Sequence, residues 1–154
     1  MKTRTLLFTL LLCLVGAAVC RADDLNLGTW KLNEAKSKIG AGAPNLTTVV
    51  YEAAGDSVKV TVDGTDGEGK PLHSEWTGKY DGKDYPVMGD PNADTRSVKK
   101  VNDHTLAITN KKGDKVGITA RAVVSADGKS RTVTLSGTDS KGKKYTSTAV
   151  YDKQ

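Results

Sequence analysis

The chain has 154 residues, with 23 basic and 18 acidic side chains and two cysteines. The first 22 residues hold Lys2, Arg4 and Arg21, no acid, both cysteines (Cys13 and Cys20) and the only phenylalanine, Phe8. Residues 23–154 therefore carry a net charge of +2 and no cysteine, which excludes a disulfide scaffold, a cysteine nucleophile and a thiolate-held metal there.

In chain order, the first element is a leader. Met1 to Arg4 is basic, and Leu6 to Val19 is an apolar run of 14 residues. A membrane-spanning helix needs about 20. Cys20-Arg21-Ala22 places small residues where a signal peptidase reads them. Residues 1–22 are thus expected to be a secretory signal peptide, cut before Asp23, with a cut after Ala18 as the alternative. A lipoprotein cut before Cys20 is disfavoured by the bulky Val19. The expected location is secreted or periplasmic, with no stable membrane insertion after cleavage. Residues 23–154 are expected to form one domain, long enough to bury a core without cross-links.

That domain has 13 Val, 3 Ile and 15 Thr against 7 Leu. β-Branched side chains suit a pleated surface. Strands are predicted near 27–33, 46–53, 57–64, 71–80, 95–101, 105–111, 115–124, 130–138 and 143–152, with a short tenth near 83–88. Val58, Val60 and Val62 alternate with polar residues. So do Leu106 and Ile108, then Val133 and Leu135, while Val116, Ile118, Ala120, Ala122 and Val124 share one parity. Period-two alternation means one face buried and one wet. Gly/Asp/Asn turns separate the runs at 55–56, 63–69, 81–82, 102–103, 113–114, 127–128 and 141–142. Helix is limited to a turn or two over Asn33 to Lys38, with Asn33 as its cap. Two links are long. These are Gly40 to Asn45 and Met88 to Asp94, and Pro86 and Pro91 are expected to bar a central strand through the second. The fold class is therefore all-β: an antiparallel up-and-down meander of about nine or ten strands that closes into a barrel and so hides its edges.

Two end motifs resemble the calycin superfamily, the lipocalins and fatty-acid-binding proteins. Leu27-Gly28-Thr29-Trp30-Lys31-Leu32 is similar to the Gly-x-Trp first strand of that fold. The resemblance implies that Gly28 and Trp30 close the barrel base. Thr148-Ala149-Val150-Tyr151-Asp152-Lys153 resembles the last strand of fatty-acid-binding proteins. There the family's ligand-carboxylate arginine is replaced by Ala149, and Tyr151 remains. The two-helix lid of those proteins has no counterpart between Asn33 and Asn45. Lipocalins often place an arginine over the tryptophan from the last strand. Residues 143–152 contain none, and Lys144 and Arg131 are the substitutes at hand. Trp30-Lys31-Leu32-Asn33 with Lys36-Ser37 also looks like the start of short exported bacterial proteins of unassigned function.

Other chemistry is weakly supported. His73 shares parity with Glu75, but a catalytic zinc usually needs three protein ligands. His104 follows Asn102-Asp103 and reads as a turn residue. Asp63, Asp66 and Glu68 lack calcium-loop spacing. No G-x-S-x-G elbow and no phosphate loop occur. The lysine clusters flank turns and alternate with acids, and no basic-aromatic stripe suggests nucleic acid. The expectation is a monomeric, non-enzymatic protein without cofactor or metal, binding a small apolar or amphipathic ligand inside the barrel. The ligand-facing set is Val58, Val60, Val62, Trp76, Leu106, Ile108, Val116, Ile118, Val133, Leu135, Tyr145 and Tyr151. The alternative is a ligand-free structural or interaction module of the cell envelope. It would have a filled interior and an outer apolar patch built on Val50, Val123 and Val150.

Overall fold

The computed structural model describes residues 24–154, so the leader and its cleavage site lie outside the described residues. The described chain forms ten strands: β1 (Gly28–Leu32), β2 (Asn45–Ala54), β3 (Ser57–Thr65), β4 (Pro71–Gly78), β5 (Asp81–Met88), β6 (Thr95–Asn102), β7 (Thr105–Lys112), β8 (Lys115–Val124), β9 (Ser130–Thr138) and β10 (Lys144–Lys153). Each pairs antiparallel with its sequence neighbours, and β1 pairs with β10, so the sheet closes into an up-and-down barrel. One 3₁₀ turn (Glu34–Lys36) is the helix content of the described residues, and the Asn33 side chain caps it by accepting the Lys36 N–H at 3.2 Å. None of the described helices is long and apolar enough to cross a membrane.

The alternation expected from the sequence determines which face is dry. Val60 and Val62 of β3 lie opposite Tyr51 and Val49 of β2 and opposite Trp76 and Ser74 of β4, and all six are buried. Their strand neighbours point outward into polar pairs. Lys59 meets Glu75 at 2.9 Å, and Asp63 meets His73 Nδ1 at 2.6 Å. His73 and Glu75 thus have separate partners on the outer face, and they do not act as a pair. Asp66 accepts N–H bonds from Glu68 and Lys70 at 2.9 Å each, which makes its acidic loop a hairpin turn.

β5 ends at Met88 and β6 begins at Thr95, so no strand runs through the stretch that Pro86 and Pro91 flank; Pro86 itself lies within β5, opposite Thr95 of β6. The Val87 N–H bonds toward β6, reaching the Asp94 carbonyl at 2.9 Å, so the nitrogen of Pro86 faces β4 by alternation. There β4 and β5 are joined only through Glu75↔Met88 and Trp76↔Val87. A missing donor costs nothing on a side without a ladder. The opening in the ladder is filled by rings: Trp76 and Tyr85 meet edge to face at 6.0 Å and 89°. Gly78 makes room for them, since a Cβ there would stand 2.5 Å from Trp76 Cζ2 and 2.7 Å from Tyr85 Cδ2. β4 accordingly ends at Gly78, two residues before the expected position.

Candidate functional site

Near one end of the barrel Trp30 is fully buried, with a relative exposure of 0%. Its indole N–H donates to the Asn26 carbonyl at 2.7 Å. Residues 24–27 form the turn that brings this carbonyl into place. The Leu27 N–H bonds the Asp24 carbonyl at 3.0 Å, and the Asp24 carboxylate takes both Asn26 donors at 3.0 Å. Two cations cover the indole. Lys153 Nζ lies 5.1 Å from the ring centroid and Arg131 Cζ lies 6.0 Å from it. Gly28 adopts φ +116° beside the Lys153 stem, and a Cβ there would lie 3.0 Å from Lys153 Cε. Lys144, by contrast, lies exposed at the opposite end of β10 from Lys153.

The other end opens into a cavity of about 1380 Å³. Its rim is formed by the turns of β3–β4, β5–β6, β7–β8 and β9–β10 together with the link after the 3₁₀ turn. Ala41, Gly42 and Pro44 of that link, and Asp90 to Ala93 of the β5–β6 link, border the opening. The two long connections seen in the sequence therefore both flank the mouth. The link is tied to the wall where the Gly40 N–H donates to Ser147 Oγ at 2.8 Å. The interior is wide for a geometric reason. A ring of about ten strands is wider than side chains readily fill, and valine and alanine supply much of the lining.

The expected ligand-facing residues fall into groups. Val60, Val62, Ile108, Ile118, Val133, Leu135, Tyr145 and Tyr151 line the cavity, and Val116 lines it at the mouth while half exposed. Trp76 and Leu106 are buried in the packed part of the core, and Val58 packs against that core; none of the three lines the cavity. Val50 and Val150 are half-buried and Val123 is exposed.

The polar lining was not anticipated. Arg131 of β9 is 3% exposed, its Nη2 donates to the Tyr51 hydroxyl at 2.5 Å, and its Cζ stands 4.5 Å from the Tyr51 ring centroid. Its Nε is buried without a hydrogen-bond partner. Arg96 of β6 donates its Nε–H to Asn110 Oδ1 at 2.8 Å. The surface Arg96 retains faces the cavity, so desolvation still lowers its pKa from the usual arginine value. Tyr51 and Asp90 act against that shift and the charge of Arg131 adds to it. Arg131, Arg96, Tyr51, Asn110 and Ser74 all line the cavity. Each shares strand parity with an apolar inward residue: Arg131 with Val133, Arg96 with Val98, Asn110 with Ile108. That parity was the available signal.

Two buried phenols, Tyr151 and Tyr80, are held neutral. The Tyr151 hydroxyl donates to the Leu46 carbonyl at 3.0 Å, and burial pushes its pKa up to about 12, with Arg131 opposing. Burial likewise raises Tyr80 well above the tyrosine range, with Tyr51 and the Asp24 carboxylate adding to the shift. An unfolded tyrosine titrates near pH 10. A raised folded pKa means the native state holds its proton longer. The stability from burying neutral Tyr151 is present below about pH 10 and falls as pH rises toward about 12. Tyrosinate absorbance of wild type minus Tyr151→Phe should show this late ionisation, and an ordinary midpoint near 10 would contradict the burial.

No protein-family model and no curated protein sequence matches the chain. Among solved structures, the barrel is similar to a redesigned β-barrel with 16% sequence identity and a TM-score of 0.46, over 88% of this chain and 97% of that one.

Proposed function

We propose that this chain is an exported, non-catalytic protein that binds a small apolar or amphipathic molecule inside a calycin-like barrel. The observation that carries the reading is the cavity of about 1380 Å³, which opens at one end of the barrel. Ligand pockets combine apolar walls with a few convergent polar groups, and this one exceeds their usual span of about 300–1,000 Å³. Valine, isoleucine and leucine supply the walls, and Arg131, Tyr51, Arg96 and Asn110 the polar groups. Gly28 and Trp30 at the base support the calycin kinship, and the leader supports export. The open interior favours this reading over a structural module with a filled core.

The test is titration of residues 23–154 with an apolar fluorescent dye whose emission rises on desolvation. Saturable binding that lipids displace, with far-ultraviolet circular dichroism unchanged, is the expected result. A folded protein that takes up no dye or lipid would count decisively against it.

A further inference from the structure

We propose that the outer wall formed by β6 to β10 is a docking surface for an acidic polysaccharide, a chain of sugars that bears carboxylate or sulfate groups. The surface lies outside the barrel and does not depend on what the cavity holds.

The fold segregates charges that the sequence intersperses. β2 to β5 carry Glu52, Asp63, Glu75, Asp81 and Asp84. β6, β7, β8 and β9 contain no acidic residue, and β10 contains only Asp152, which accepts from the Asn33 amide at 2.7 Å. On the acidic half, Lys59 is neutralised by Glu75 and the neighbouring Lys79 by Asp56. On the acid-free half, Lys99 and Arg121 are exposed and form no salt bridge among the described residues, and the same holds for Lys38 beside β10. Cations gathered without acids raise the local potential and attract anionic partners.

Strand register puts these cations on one rung. Lys99 of β6 lies opposite Ala107 of β7, which lies opposite Arg121 of β8. Arg121 lies opposite Thr134 of β9, Thr134 opposite Thr148 of β10, and Thr148 bridges to Lys38. Arg121 points outward because Ala120 lines the cavity and Ala122 is fully buried. Neighbouring strands stand about 4.8 Å apart, so the charges recur along the rung at intervals of about 10 and 14 Å. The next rung toward the mouth is Ser97, Thr109, Thr119, Ser136 and Thr146, a hydroxyl residue on every strand.

Shape and chemistry select the partner. The rungs span five of the ten strands of a closed barrel and are therefore convex. A convex strip with spaced charges fits an extended polymer that can follow the wall, not one compact anion. Arg121 offers a planar fork to a carboxylate or sulfate, and the hydroxyl rung beside it can exchange hydrogen bonds with sugar hydroxyls. A nucleic acid would need aromatic platforms for its bases. The aromatics of these strands, Tyr145 and Tyr151, both line the cavity instead.

The experiment is calorimetric titration of the protein with alginate, which bears carboxylates, dextran sulfate, neutral dextran and single-stranded poly(dT). At least one acidic polysaccharide is expected to bind about 10-fold or more tightly than both dextran and poly(dT). That binding should weaken as salt rises, because exposed charges are screened. Lys99→Ser combined with Arg121→Ser should weaken it by about 10-fold or more. Lys59→Ser combined with Lys79→Ser removes the same two charges from the acidic half and should change it by less than about 2-fold. All four side chains reach solvent, so both double variants should keep the wild-type circular dichroism spectrum. Equal losses in the two double variants would mean a response to net charge alone and overturn the surface. Binding of poly(dT) as tight as that of the polysaccharides overturns the sugar partner. Binding of neither alginate nor dextran sulfate overturns the proposal outright and leaves the cavity reading untouched.

Discussion

Trp30→Ala should destabilise the barrel by about 3–5 kcal/mol, the range for removing a large buried aromatic side chain. Domains of this kind have only about 5–15 kcal/mol in total, so the variant should be near the edge of folding. The indole is fully buried, and three further groups depend on it. Asn26 would keep a buried carbonyl whose donor has gone. Arg131 and Lys153 would each lose the ring they cover. The barrel wall cannot collapse into the space, because strand spacing is fixed by the ladders of β1 with β2 and β10. Urea unfolding followed by circular dichroism measures the loss. Trp30→Phe, which keeps a ring and removes the N–H, should cost about 1–3 kcal/mol from the unpaired carbonyl. A loss below about 1 kcal/mol in the alanine variant would mean that Trp30 does not plug the base.

The strands were legible because they depend on local pattern. Val58-Lys59-Val60-Thr61-Val62 alternates cleanly since β3 has a core on one side and solvent on the other. β5 was only half legible. Asp81 to Asp84 is wholly polar and carries a register shift against β6, and Pro86 breaks the usual strand rule. Its inward residues, Tyr85 and Val87, are too few to establish a period. The cavity volume was not legible, because parity says which side chains point inward and not how far apart the walls stand. Nor were the arginines. A lone Arg96 or Arg131 in a strand reads as a wet-face residue, and its burial becomes visible only when Asn110 and Tyr51 are brought across from other strands. Sequence reasoning took charge as a sign of exposure; inside a barrel with an unfilled centre, inward parity was the better guide.

Ala120→Phe should abolish most ligand uptake while leaving the barrel folded. Ala120 of β8 lies between Ile108 and Leu135 in register and lines the cavity. A benzyl group placed there enters empty space and gains burial, so stability should stay within about 1 kcal/mol of wild type or rise. Dye affinity should fall at least about 10-fold, because the ring takes volume at mid-depth between floor and mouth. Ala122→Phe is the control. It is two residues along on the same face and has 0% exposure, packed toward Leu106 and Val133 on the neighbouring strands. Overfilling a packed site typically costs about 1–3 kcal/mol. The two substitutions add the same atoms to the same strand, so they differ only in whether space awaits them. Thermal melts and dye titrations of the pair therefore read the boundary between cavity and packed floor directly. Equal destabilisation by both would mean that the interior is filled at Ala120, and the binding function would lose its physical basis.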